Sequence, residues 1–349
     1  MDPIIINLIV EVLKTGMVAT VLLLSFAAMI LIERKVVARF TLRYGPNRVS
    51  KFGLLQPIAD MFKMFFKEEV IPGHVDKLIY VLSPGIALVP AIMAFAVIPI
   101  ASQPFPIPYA EQFLGMPLVI TPWIADVNIG MLYILALGSL GTYGVMLGGW
   151  SSNNKYSLLG GLRTSAQMLS YELPMGVAVL SIILMAGSLQ LNEIVKLQSG
   201  FWGLGWFVFV QPIAFLIFFI SGLAEAGRSP FDLPETENEL IGGFATEYGG
   251  MKFGLFFGAE YIHTIVLSCV VATLFLGGWN GPFVQQVPLL GMGYFIAKVT
   301  TLLFVIIWIR ASVPRVRFDK MMKFCWKFLL PVGVINLAVT ALVIAVLRF

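Results

Sequence analysis

The strongest constraint on this chain is a repeat of apolar runs long enough to cross a bilayer. Such runs recur about eight times, near residues 4–32, 79–101, 123–149, 166–187, 206–224, 253–278, 289–309 and 328–347. About 20 apolar residues span a hydrocarbon core of ~30 Å as a helix, and a helix satisfies its own backbone polar groups in lipid. Composition agrees. Of 349 residues, 58% are hydrophobic and 12% charged, against ~25% charged in ordinary soluble chains. The expected fold class is all-α: a single polytopic membrane domain over residues 1–349. Its loops are expected at about 33–78, 150–165, 225–252 and 310–327. The first run reads as a retained helix, because Asp2 replaces a basic leader and Glu33-Arg34-Lys35 follows without a small-residue cleavage site.

Basic residues are distributed very unevenly. Nineteen of the 23 Lys and Arg fall in the four odd-numbered loops, whereas the loops after the second, fourth and sixth runs hold only Lys196. Bases concentrate on the cytoplasmic side of a bilayer. The odd loops are therefore expected inside and both termini outside. The net charge of +4 reflects this topology and points to no nucleic-acid partner.

Several chemistries find no support. Cys269 and Cys325 make neither a metal-ligand spacing nor a disulfide framework, and His74 and His263 are badly placed for paired haem ligation. No nucleophile–base pair, phosphate-cradling glycine loop or metal cluster is legible. The chain has no evident redox centre, so in any electron transfer a partner must bring the electrons.

Three loop stretches stand out. In the first, Leu54, Leu55, Ile58, Met61, Phe62, Phe65 and Phe66 fall on one helical face and Gln56, Asp60, Lys63 and Lys67 on the other. This predicts an amphipathic helix lying along the membrane interface, with a plain surface anchor as the bland alternative. The second carries Glu225, Arg228, Asp232, Glu235, Glu237, Glu239 and Glu247, punctuated by Pro230 and Pro234. As a bare charge run it is a solvated loop, yet Phe231, Leu233, Leu240, Ile241 and Phe244 are interspersed. The third, Arg310–Lys327, reads as a basic anchor.

Charges inside the runs are costly, at roughly 3 kcal/mol each at a helix centre. Glu172, Glu225 and Glu260 are the main cases, with Glu11, Lys14, Asp126 and Lys298 in or near others. A buried carboxyl is either a proton carrier or half of an ion pair, for example with Lys298. Glu11 and Lys14 are spaced to pair at i, i+3. Pro174 follows Glu172 closely and predicts a kink. Gly250, Gly254 and Gly258 predict a tight helix contact leading to Glu260.

Taken in order, these residues resemble one family. Glu33-Arg34-Lys35, Arg43-Tyr-Gly-Pro46-Asn47-Arg48, Gln56-Pro57-Ile-Ala-Asp60 and Lys67-Glu68 are similar to the first cytoplasmic loop of one complex I membrane subunit, numbered 1 in mitochondria and lettered H in bacteria. Asp126-Val-Asn128, Gly149-Trp150, Asn153 to Tyr156, and Arg163 through Gln167 to Tyr171-Glu172 resemble its central spans. The most specific likeness runs from Ala224-Glu225 through Arg228-Ser-Pro230-Phe231-Asp232-Leu-Pro234-Glu235 to Ala259-Glu260-Tyr261, and Arg310, Pro314-Arg315 and Arg317-Phe-Asp319 resemble the last loop. Ser50-Lys51 and Ser229 depart slightly from the usual pattern.

The resemblance implies a quinone-chamber subunit of a proton-pumping NADH:quinone oxidoreductase in the bacterial inner membrane. Quinone would be the substrate, and partner subunits would hold flavin and iron–sulfur clusters. The implied quinone-binding residues are Arg34, Arg43, Asp60, Lys63 and Phe231. The implied proton path and coupling set is Glu172, Glu225, Arg228, Asp232, Glu235, Glu237, Glu239, Glu247 and Glu260. Two alternatives remain. The anchor of an energy-converting hydrogenase or formate-linked complex shares the Gln-Pro-x-x-Asp and Pro-Phe-Asp-x-Pro-Glu patterns, and a stand-alone ion transporter also carries buried acids.

Overall fold

The structure is a computed structural model that describes residues 3–106, 119–232, 242–284 and 286–347. Helix α1 (Pro3–Phe40) has 38 residues, about 57 Å at 1.5 Å per residue. No Gly or Pro occurs between Met17 and Tyr44, so nothing stops the helix where its apolar run ends. The expected loop from residue 33 therefore begins as helix, and Glu33, Arg34, Lys35 and Arg39 stand on regular turns.

Helix α2 (Gln56–Phe66) follows, with Pro57 in its first turn. Its apolar face is bare: Ile58, Met61, Phe62, Phe65 and Phe66 are all exposed, and the Phe62 and Phe66 rings stack 6.2 Å apart. The predicted amphipathic helix is thus present; on its polar side Gln56 and Asp60 are partly covered, whereas Lys63 and Lys67 are exposed. Helix α3 (Lys77–Ala94) packs along α4 (Gly130–Ser151). Gly144 allows a very close approach, since a Cβ there would lie 2.5 Å from the Ala87 backbone nitrogen. Between α3 and α4, Phe105–Pro106 and Val119–Ile120 form a two-residue antiparallel pair.

Helix α5 (Lys155–Ala186) begins at Asn154, whose side chain accepts from the Tyr156 N–H at 3.0 Å, and ends at Gly187 in the left-handed region. The expected loop over 150–165 is thereby mostly helix. Asn capping and the Gly stop override the polarity of the first turns. The helix continues through Pro174 without interruption.

After the short α6 (Leu191–Leu197), the expected span over 206–224 divides. A single turn, Phe207–Val210, stops at Gln211, and α7 (Pro212–Glu225) begins afresh because Pro212 has no N–H to continue the ladder. At 14 residues, α7 is shorter by itself than the ~20 residues of a straight crossing, and the turn before it extends the apolar stretch over 207–225. Among the described residues, seven other helical stretches are long and apolar enough to cross. They are α1, α3, α4, α5, α8 (Gly250–Phe275), α9 (Pro288–Ser312), and the stretch formed by α10 (Phe318–Phe324), a π-helical turn (Cys325–Leu329) and α11 (Leu330–Leu347). The expected loop over 310–327 is likewise mostly helical.

Helix α8 is central, packed against α1, α2, α3, α7 and α9. Ile262, Val271, Ala272, Leu274 and Phe275 are fully enclosed. Its glycine strip receives α2 first: a Cβ on Gly254 would meet the Met64 sulfur at 2.9 Å, whereas Gly258 faces Phe26 of α1.

Candidate functional site

The predicted polar residues of the first loop converge at the end of α1. The Arg34 guanidinium lies 2.6 Å from the Asp60 carboxylate on α2, which also accepts from the Gln56 amide at 2.9 Å. The pair is half-exposed, so it contributes ~1 kcal/mol or less to stability. Its position is the informative part, because Arg34 borders two clefts. One, of about 440 Å³, is bounded by Glu33, Arg34, Arg43, Tyr44, Tyr261 and Arg310 among others. The second, of about 380 Å³, is bounded by Arg34, Asp60, Lys63, Lys67, Tyr248 and Phe253 among others. Arg34, Arg43, Asp60 and Lys63 are therefore brought together, beside the bare apolar face of α2. Phe231 is not among them. It is buried against Tyr171, with ring centroids 5.6 Å apart, and its carbonyl accepts from Gln167 at 2.8 Å.

A buried charge cluster lies behind the first cleft. Glu33 pairs with Arg310 and lies 3.7 Å from Arg228. Arg228 covers the Tyr261 ring at 3.8 Å and donates to the Thr264 hydroxyl at 3.3 Å. Burial works against the Arg228 charge, but Tyr261, Glu33 and Glu260 outweigh it and hold its pKa above the ordinary arginine value. Asp232, also buried, pairs with Arg315 at 3.1 Å. The segment around Pro230 accepts a backbone bond from Val316 at 3.0 Å, and Gln167 donates to Ala224 at 2.6 Å. Arg228 and Asp232 are thus fixed in place rather than solvated. Glu247 accepts from the Asn154 amide at 2.7 Å. Next to it, Tyr248 stacks on Tyr80 at 4.2 Å, and burial pushes its phenol above the ordinary range. Glu235, Glu237 and Glu239 lie outside the described residues.

Deeper, a cavity of about 60 Å³ opens between α3, α4, α5 and α8, lined by Glu225, Glu260 and His263 among mostly apolar neighbours. The His263 Nε2 lies 3.6 Å from a Glu225 carboxylate oxygen. Glu225 interacts electrostatically with Glu172, which accepts a short bond from the Ser139 hydroxyl. Gly138 makes room for this arrangement: a Cβ there would lie 2.8 Å from the Glu225 oxygen.

The remaining charges settle simply. Lys14 pairs with Glu11 at 2.6 Å, as their spacing predicts. Lys298 does not pair with an acid among the described residues. It donates to the carbonyls of Gly278 and Asn280 at 2.8 and 2.7 Å, because the irregular turn after α8 leaves carbonyls without helical partners. Among the described residues no group of three or more His, Cys, Asp or Glu could hold a metal ion.

Sequence reasoning missed Glu33, Tyr261, His263 and Gln167 as site residues. Glu33 carried a usable signal, as the one acid in a basic run at a helix end. The other three look like ordinary interior residues until neighbouring helices are placed.

A model of the NADH dehydrogenase family matches residues 13–341. The chain is 48% identical to the first of the NADH-quinone oxidoreductase H subunits of Geobacter sulfurreducens, over 96% of its own length and 94% of the relative's. It is 46% identical to the NADH-quinone oxidoreductase H subunit of Syntrophotalea carbinolica over 98% of both chains. Against the corresponding H subunit of Dehalococcoides mccartyi the identity is 46%, over 91% of this chain and 82% of the relative.

Proposed function

We propose that this chain, which belongs to the family of NADH-quinone oxidoreductase H subunits, admits a quinone from the bilayer and couples its reduction to proton transfer. The observation that carries this reading is the Arg34–Asp60 pair, set between two clefts and beside the exposed aromatic face of α2. A lipid quinone needs an apolar path for its tail and hydrogen-bonding groups for its head. Phe62, Phe65 and Phe66 supply the first. Arg34, Arg43, Asp60 and Lys63 supply the second. Phe231 serves this site indirectly, by fixing the segment that carries Arg228 and Asp232.

Electrons come from partner subunits that hold flavin and iron–sulfur clusters, and other membrane subunits continue the proton path. Two electrons added to a quinone call for two protons. Acids close to that chemistry titrate as a coupled set. The segment from Arg228 to Glu247, including Glu235, Glu237 and Glu239, senses the charge change, and Glu260, Glu225 and Glu172 carry a protonation change deeper into the membrane. With the broken stretch 207–225 counted as the eighth crossing, the basic loops face the cytoplasm and both termini face outside.

Arg34→Ala and Asp60→Ala test the reading in the assembled complex. Quinone reduction falls, while reduction of a water-soluble acceptor at the flavin persists. Unchanged quinone reduction in both variants overturns it, whereas equal loss of both activities marks an assembly defect instead. External labelling of a cysteine placed at Lys51 in intact cells overturns the orientation.

A further inference from the structure

The cavity between α3, α4, α5 and α8 holds a titratable group with no role in quinone access or in the charge cluster. His263 projects from the middle of α8 into a space it shares with Glu225, at the end of α7, and with Glu260, one turn earlier on its own helix. The spacing of three places Glu260 and His263 on one face. The Nε2 of His263 is buried and has no hydrogen-bond partner among the described residues. It points at Glu225 from 3.6 Å, just beyond bonding distance. Leaving a buried polar atom unsatisfied is costly, and native structures keep such atoms for bridging water or for chemistry. The cavity, at about 60 Å³, has room for a few water molecules, since one needs ~10–15 Å³.

Its other walls are Ala87, Leu137, Val145 and Phe256 with little polar competition, and no lysine or arginine is among its described lining residues. The charged groups facing this space are therefore Glu225 from α7 and Glu260 from α8. Glu172 on α5 is coupled to Glu225, and Arg228 to Glu260.

We propose that His263 relays a proton between Glu260 and Glu225 across this cavity, a role that rests on reading these acids as proton carriers. An imidazole suits the gap because one ring nitrogen accepts while the other donates. A proton leaving the Glu260 carboxyl reaches one ring nitrogen through a cavity water. The proton on the other nitrogen passes to the Glu225 carboxylate. One O–H bond breaks and one forms, and one negative charge moves from Glu225 to Glu260. The imidazole ends as its other tautomer, which a ring flip or the return transfer resets. Gly138 is part of the device, because any larger side chain would push the Glu225 carboxylate away from this position.

The test uses the whole complex in its membrane and four variants: His263→Gln, His263→Asn, His263→Leu and His263→Glu. Assembly is checked by native gel and by reduction of a water-soluble acceptor at the flavin. Gln and Asn keep hydrogen bonding but cannot carry a proton. Both are expected to lower quinone-linked turnover and proton pumping on the order of tenfold, below the ~10²-fold typical of a positioned acid–base group because water offers a bypass. Leu matches them. Glu, which titrates, recovers part of the loss and shifts the pH profile of turnover. Wild-type pumping in an assembled Gln or Asn variant, with or without a defect in Leu, overturns the relay and leaves His263 a packing residue. Failure of all four to assemble also overturns it, since the ring would then be structural. Glu225→Gln separates the two levels. If it is impaired while His263→Gln pumps normally, only the relay fails. If Glu225→Gln itself pumps normally, the proton-path reading fails.

Discussion

Two regions only a few helical turns apart treat charge in opposite ways. At the end of α1, acids meet bases: Arg34 with Asp60, Glu33 with Arg228 and Arg310, Asp232 with Arg315. Around the deep cavity, Glu225, Glu260 and His263 share a mostly apolar lining; no lysine or arginine is among its described residues, although Arg228 acts on Glu260 from outside it. A close countercharge holds a group in one protonation state and one geometry. Its removal leaves the partner buried and exposed to the full desolvation cost. Groups gathered in an apolar lining can change charge when a proton arrives. The first region is suited to holding a shape and a polar headgroup, and the second to passing protons.

Four experiments probe this contrast, from the largest effect to the smallest. Glu33→Ala takes the shared carboxylate from Arg310 and from buried Arg228, which keeps Tyr261 and Glu260, with an expected cost of ~3–5 kcal/mol. Complex assembly fails, or its melting temperature drops sharply. A variant that assembles and melts like the parent would show that the cluster is not held by charge. Next, Glu172→Gln and Glu260→Gln should assemble fully, because glutamine keeps shape and hydrogen bonding, yet pump several-fold more slowly. Normal pumping in both would erase the distinction between the regions. Gly138→Ala tests the cavity by geometry alone. Its new methyl meets only the end of a flexible glutamate at 2.8 Å, so assembly survives while quinone-linked turnover falls by a few-fold. An unchanged turnover would mean that the position of Glu225 is unimportant. The smallest effect belongs to Gln56→Ala. It removes one charge-assisted hydrogen bond to Asp60 on a half-exposed pair, worth ~1–2 kcal/mol at most. A modest rise in KM for quinone with kcat unchanged is expected, and a fall in kcat alone would place Asp60 in proton transfer instead.

Much was legible in one dimension because the bilayer is a severe solvent. Apolar run length alone specifies helices, so the membrane class, the bare face of α2 and the Glu11–Lys14 pair followed from spacing. Order of motifs sufficed for the family. Helix ends were harder. α1 and α5 outrun their apolar segments because helix propagation obeys backbone breakers and caps, not polarity: α1 meets no Gly or Pro from Met17 until Gly45, and α5 starts at a capping Asn154. The break at Pro212 was visible as a residue, but its consequence, an apolar stretch split into two helical pieces, was masked by the continuous hydropathy around it.

What only the tertiary structure decided is partnership between distant residues. Hydropathy and spacing place a charge at a depth and on a face, but they do not say which of several helices stands opposite. Lys298 had buried acids available by depth and instead found two backbone carbonyls. Glu33 and Arg310 are 277 residues apart and pair because α1 and α9 both pack on α8. His263 is unremarkable within its own helix. It becomes a site residue because α7 delivers Glu225 to its ring and the missing side chain of Gly138 leaves the carboxylate room. Sequence determined that this chain would bury its charges in a membrane. Helix packing, which sums many weak contacts over the whole chain, decided which of them would meet.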